Sequence, residues 1–182
     1  MRVGRDATAT LDAGDHGAIT VATGGTLIFT GGIYNLQSLQ AGPGTQLLFQ
    51  SPAELRVAGQ LRTEADTFIG PAPGVTTNPP TAAHLVVFVA GKNGRGGLLA
   101  FPDTLPSAVT LGERNAVHAT VWALNGTVHL LPDTDAEGAL WGRDVWLEER
   151  VQLGWNSFFA NTPRRRTASG WQWRRTPRPR SP

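Results

Sequence analysis

Between Gly17 and Pro73 the chain repeats one unit about three times. Leu27-Ile28-Phe29 returns as Leu47-Leu48-Phe49, and Phe68-Ile69 follows one period later. Glycine-rich corners separate these apolar groups: Gly24-Gly25, Gly31-Gly32, Gly42-Pro43-Gly44 and Gly70-Pro71. Short strands joined by tight corners at a period of 19–21 residues predict an all-β parallel β-helix, a solenoid in which each rung stacks on the last.

The rest of the chain fits this reading. Apolar residues fall in runs of three to six, and no stretch shows a sustained helical period. The rungs begin at Ile19-Thr20-Val21 and continue through Ile33-Tyr34-Asn35-Leu36 and Leu55-Arg56-Val57, where Leu and Val face inward and Arg outward. Upstream, Val3, Ala7, Ala9 and Leu11 predict a short strand that covers the first open end. Residues 70–83 hold four prolines, which exclude a central strand and predict a loop insertion. His84 to Ala90 is nearly continuous in apolar residues and predicts a strand buried on both faces. Residues 92–108 read as a second insertion. The repeat then resumes, and the predicted core of the last rungs is Val121, Ala123, Val128, Leu130, Leu140, Val145, Leu147, Val151 and Leu153.

Charge divides the chain. Residues 1–162 carry nine Lys and Arg against fourteen Asp and Glu, a net −5, whereas residues 163–182 carry seven Arg and no acid. The expected organisation is therefore a β-helix domain over 1–162 and a disordered Arg/Pro-rich tail over 163–182, which has no apolar period to bury. The tail's Arg164, Arg165, Arg166, Arg174 and Arg175 are candidate contacts for a polyanion or envelope polymer. No apolar run approaches the ~18 residues of a membrane span, and the first six residues lack the apolar core of a signal peptide. The expectation is a cytoplasmic protein or a piece of a longer chain. The absence of cysteine excludes disulfides and thiolate chemistry.

The second half carries a resemblance. Ala119-Thr-Val-Trp-Ala-Leu-Asn-Gly-Thr-Val-His-Leu130 and Glu137-Gly-Ala-Leu-Trp-Gly-Arg-Asp-Val-Trp-Leu147 resemble the closing rungs of bacterial polymer-forming, bactofilin-like and surface-anchored β-helix domains. His84–Gly91 resembles that group's central strand, and Gly31–Leu36 its early rung. The resemblance spans roughly residues 17–160. It implies a parallel β-helix, self-association through the solenoid ends, and a cell-envelope or extracellular setting.

Catalytic patterns are weak. Asp133, Asp135 and Glu137 alternate in a turn but lack the full ligand spacing of a calcium loop. The four histidines show no metal-ligand spacing, and His129, between Val128 and Leu130, is expected to point outward. Gly91–Gly97 lacks the Gly-Lys-Ser/Thr ending of a phosphate loop. Glu54 with Arg56, and Asp144 with Glu148, are the charged residues on rungs that come closest to a lyase or hydrolase pair, and nothing recurs at rung spacing. The sequence therefore predicts a non-catalytic structural or assembly module with no metal or cofactor. The alternative is a carbohydrate- or surface-binding module using Trp122, Trp141 and Trp146. Trp141 lies nineteen residues after Trp122, which predicts that the two indoles stack on the outer wall.

Overall fold

The structure, a computed structural model, describes residues 1–75, 81–94 and 106–154. The tail over 163–182, its five candidate arginines, and the predicted domain end at 162 lie outside the described residues.

The described chain contains strands only: β1 (Arg2–Val3), β2 (Thr8–Leu11), β3 (Gly14–Val21), β4 (Thr26–Phe29), β5 (Gly32–Ala41), β6 (Gln46–Phe49), β7 (Ala53–Val57), β8 (Leu61–Thr63), β9 (Phe68–Pro71), β10 (Leu85–Val89), β11 (Val109–Leu111), β12 (Ala116–His118), β13 (Thr120–Leu130), β14 (Asp135–Glu137), β15 (Leu140–Leu147) and β16 (Gln152–Gly154). Every pairing is parallel and joins strands one turn apart. The chain is thus a parallel β-solenoid of about seven turns.

Two sheets wrap the core. A seven-stranded sheet stacks β2, β4, β6, β9, β12, β14 and β16. A nine-stranded sheet holds the rest, and its long strands β5 and β13 serve two ladders at once: β7 and β10 pair with their first parts, β8 and β11 with their second. Because parallel neighbours repeat the same register, each inward position becomes a column along the axis. One column runs from Val3 through Val21, Ala41, Thr63, Leu111 and Leu130 to Leu147. Another runs from Ala9 through Leu27, Leu47, Ile69, Val117 and Ala136 to Leu153. Phe29 and Phe49 stack at 4.6 Å within the core, and Tyr34 meets Phe29 edge-on at 5.0 Å.

One corner recurs in every turn. Asp6, Gly24, Gly44, Asp66, Arg114, Asp133 and Arg150 all have positive φ. The amide of each of the first six donates to the carbonyl before its counterpart in the next turn, as Asp6 N–H to Thr23 O and Arg114 N–H to Pro132 O. The left-handed conformation disfavours most side chains, and Gly and Asp are among the residues that tolerate it best. Two residues therefore carry side chains there at a cost, Arg114 and Arg150, and each gains an ion pair in return. Arg114 clasps Asp66 through two bonds of 2.8 and 2.9 Å, and Arg150 clasps Asp133 in the same way. These hydrogen bonds hold the carboxyls of Asp66 and Asp133 below their ordinary range. Just inside the corner sits a buried polar row. Thr45 and Thr67 hydroxyls lie 3.3 Å apart, Asn115 accepts from the Thr67 amide, and it donates to the Thr63 hydroxyl.

Three expectations need correction. First, β10 is buried on one face only: Leu85, Val87 and Val89 point into the core, whereas Phe88 is 39 % exposed. An apolar run satisfied both readings, and the outer face of this sheet meets solvent. Second, Val145, Leu147 and Leu153 are not fully buried; they are 44, 41 and 56 % exposed. Each continues an inward column, but it stands on the last described turn, with no further turn among the described residues to cover it. Third, the N-terminal segment is no separate cover. β1 and β2 form a rung of their own, paired to β3 and β4. The insertions are also shorter than expected. β9 extends to Pro71, and Asn93 and Ala108 belong to the core. Residues 76–80 and 95–105 lie outside the described residues.

Candidate functional site

The outer face of the nine-stranded sheet carries the expected aromatic stack. Asp15, Asn35, Arg56, Phe88, Trp122 and Trp141 form one outward column. The column becomes aromatic at its C-terminal half. Phe88 and Trp122 are 5.9 Å apart and tilted by 40°, and Trp122 and Trp141 stack at 5.1 Å with planes 13° apart. Register alone places them so, because a flat ladder of parallel strands superposes residue on residue.

Stacking has a chemical consequence. The facing sides of Trp122 and Trp141 are covered by each other, so the pair does not offer two flat platforms side by side. What stays open is the outer side of Trp141, which is 52 % exposed, and the ring edges along the column. Trp146 does not join this row. It ends a different outward column, Arg2, Thr20, Gln40, Arg62, Thr110, His129 and Trp146. There it stacks on His129 at 4.9 Å, and His129 Nε2 lies 2.7 Å from Glu148 Oε1. His129 points outward as expected but is largely covered by these neighbours.

Beside the aromatic column lies a groove of about 630 Å³. Its floor is Ala58 and Ala90, small side chains beside the taller Arg56 and Phe88. Phe88 and Trp122 form one wall. Leu124 and Asn125 rise at one end, where the strand register shifts between Ala123 and Thr127. Asn35, Glu54 and Arg56 lie toward the other end. Arg56 Nε donates to Glu54 Oε1 at 2.6 Å, Asn35 Nδ2 to Asp15, and Asn125 Nδ2 to the Ala90 carbonyl. The sequence reading named the indoles but missed the groove. Its missing signal was the pairing of Arg56 with Phe88, which crosses a long insertion and cannot be counted off at a 20-residue period.

The other charged candidates are dispersed. Asp133 is held by Arg150, Asp135 and Glu137 sit on β14, and Glu137 approaches His118 at 3.1 Å. Asp144 pairs with its neighbour Arg143. Among the described residues no three His, Asp or Glu side chains come together as a metal site would require. Among them, too, no helix is long and apolar enough to cross a membrane.

A second surface is the last turn. Leu140, Val145 and Leu153 line a basin of about 290 Å³ at the C-terminal end of the core, with Ala119, Ala136, Glu137 and Gly138. Strands β15 and β16 each have a neighbour on one side only among the described residues.

The fold and these surfaces define the class of the molecule, a parallel β-solenoid. Compared with family models, curated proteins and solved structures, the chain matches none of them.

Proposed function

We propose that this chain is a non-catalytic structural module, of the bactofilin-like envelope kind its rung motifs resemble, that associates end to end with further copies of itself. The observation that carries this reading is the apolar face left on the last described turn. The inward columns run from Val3 and Ala9 and, among the described residues, reach as far as the half-exposed Leu147 and Leu153. A second copy placed in continuous register sets its Val3 over Leu147 and its Ala9 over Leu153, covering the open basin.

The corner ladder supports the same polarity. Its charges alternate as Asp66, Arg114, Asp133 and Arg150, and the first corner of the chain is Asp6. Arg114 lies between two carboxylates, clasping Asp66 while its field also lowers Asp133. Stacking head to tail gives Arg150 the same surroundings, between Asp133 and the incoming Asp6. Most of the stabilisation comes from apolar cover, since an exposed ion pair contributes ~0–1 kcal/mol; the charges chiefly select orientation. Among the described residues the strand edges at both ends have no partner, which favours the same continuation.

The test is sedimentation velocity of the full chain over a wide concentration range, beside Leu153→Glu. Mass that grows with concentration in the parent and not in the variant is expected. A parent that stays monomeric throughout contradicts the proposal. If its stability then falls on deletion of residues 155–182, the cover of the last turn is the chain's own C-terminal segment.

A further inference from the structure

We propose that the groove along Phe88 and Trp122 is a binding site for a neutral oligosaccharide. The groove is independent of the solenoid ends, so this site stands or falls separately from end-to-end association.

The lining selects the ligand class by what it has and what it lacks. It holds two charged side chains, Glu54 and Arg56, and they neutralise each other at 2.6 Å. The lining itself therefore carries no net charge to hold a polyanion or a cationic segment. The floor is the face of a sheet whose strands β7 and β10 are paired on both sides. It offers no free backbone edge, so a peptide cannot add as a strand.

What the groove offers is an apolar strip with hydrogen-bonding groups at its rim. The strip is the methyl floor of Ala58 and Ala90 beside the Phe88 and Trp122 rings. At the rim, Asn35 and Asn125 each spend their Nδ2 on the protein, and each keeps Oδ1 without a partner among the described residues. Glu54 Oε2 and both Nη groups of Arg56 are likewise unspent there. Acceptors and one donor side chain thus stand around a surface that takes the C–H face of a ring. A sugar ring has that form, with apolar faces and an equator of hydroxyls that both donate and accept.

Size agrees. The groove crosses four rungs, from Asn35 to Asn125, and three rung steps of ~4.8 Å give about 14 Å, room for a short oligosaccharide lying along the axis. A volume of about 630 Å³ is that of an ordinary small-ligand site.

The experiment titrates the full chain with cellotetraose, xylotetraose and chitotetraose, read by tryptophan fluorescence and calorimetry. Two variants fill the floor from exposed or half-exposed positions, Ala90→Phe and Ala58→Leu, and Trp146→Ala serves as the control on the other column. At least one of the three sugars should bind, with affinity reduced about tenfold or more in both floor variants and unchanged in Trp146→Ala. Circular dichroism of each variant establishes that it is folded, and one folded floor variant suffices for the comparison. Absence of binding by all three sugars up to about 10 mM, an affinity far weaker than the millimolar end of the recognition scale, overturns the proposal. So does sugar binding that persists when the floor is filled, or a groove that takes only a peptide of residues 163–182.

Discussion

Among the described residues, Asn93 is a buried polar side chain that satisfies two backbone amides, and its loss can be reckoned from its contacts. It lies at the point where the chain leaves the rung after β10. Its Oδ1 accepts from the Ala108 amide at 3.2 Å and from the Thr127 amide at 2.8 Å, and its Nδ2 donates to the Thr127 hydroxyl at 2.8 Å. One side chain thus ties the returning insertion to the next turn. Asn93→Ala strands two buried amides. Each costs ~1–3 kcal/mol when left unpaired, so the variant should lose ~2–6 kcal/mol, a large part of the ~5–15 kcal/mol of an ordinary domain. Asn93→Asp keeps the two acceptor contacts, with the Thr127 hydroxyl free to donate, and should be damaged less than the alanine variant. Urea unfolding followed by far-UV circular dichroism measures the loss, and hydrogen exchange at the Ala108 and Thr127 amides locates it. A loss under about 1 kcal/mol for Asn93→Ala, below the cost of even one stranded amide, refutes the reasoning and means that water replaces the side chain.

Four further outcomes follow from other parts of the structure. Val128→Asp should abolish folding of the C-terminal turns, because Val128 is fully buried, whereas Val145→Asp one turn on should be tolerated in the monomer; thermal melts at low concentration separate them. Gly112→Ala should destabilise by ~1–3 kcal/mol, since a Cβ there meets the Glu64 backbone at 2.4 Å, while Gly17→Ala meets nothing and should be neutral. The lowered carboxyls of Asp66 and Asp133 contribute stability that is present above the ordinary carboxylate value, ~3.9, and lost as pH falls through their lower folded values; melting from pH 5 to 2 should therefore fall less steeply in an Arg114→Gln/Arg150→Gln double variant. Removal of residues 163–182 should lower retention on an anionic resin in a salt-sensitive way, because that segment carries seven arginines and no acid.

The fold was legible because the rung period survives in the apolar triplets. Leu27, Leu47 and Ile69 do lie in one column, as their spacing implied, and Trp122 does stack on Trp141. Less of the surface was legible. Phe88 looked buried because an apolar run does not reveal which face is wet. The sequence reading groups Trp146 with Trp122 and Trp141 as one binding surface, yet five residues along β15 place Trp141 and Trp146 in different columns. The exposure of Val145, Leu147 and Leu153 reflects their place on the last described turn, which no local pattern reveals. The corner ladder was visible in retrospect: Gly24, Gly44, Asp66 and Asp133 are residues that tolerate positive φ, but Arg114 and Arg150 hide the series.

End-to-end stacking in continuous register is tested most directly by covalent capture. The chain has no cysteine, so Asp6→Cys and Arg150→Cys can be introduced together. They stand on the first and last described corners, several rungs apart, and cannot meet within one molecule. Across a continued stack they fall one rung apart, ~4.8 Å, inside the Cα separation a disulfide bridges. Mild oxidation should give a ladder of dimers, trimers and higher species on a non-reducing gel, collapsing on reduction and absent from either single variant. Monomer alone, or dimers formed by Arg150→Cys by itself, would contradict head-to-tail association.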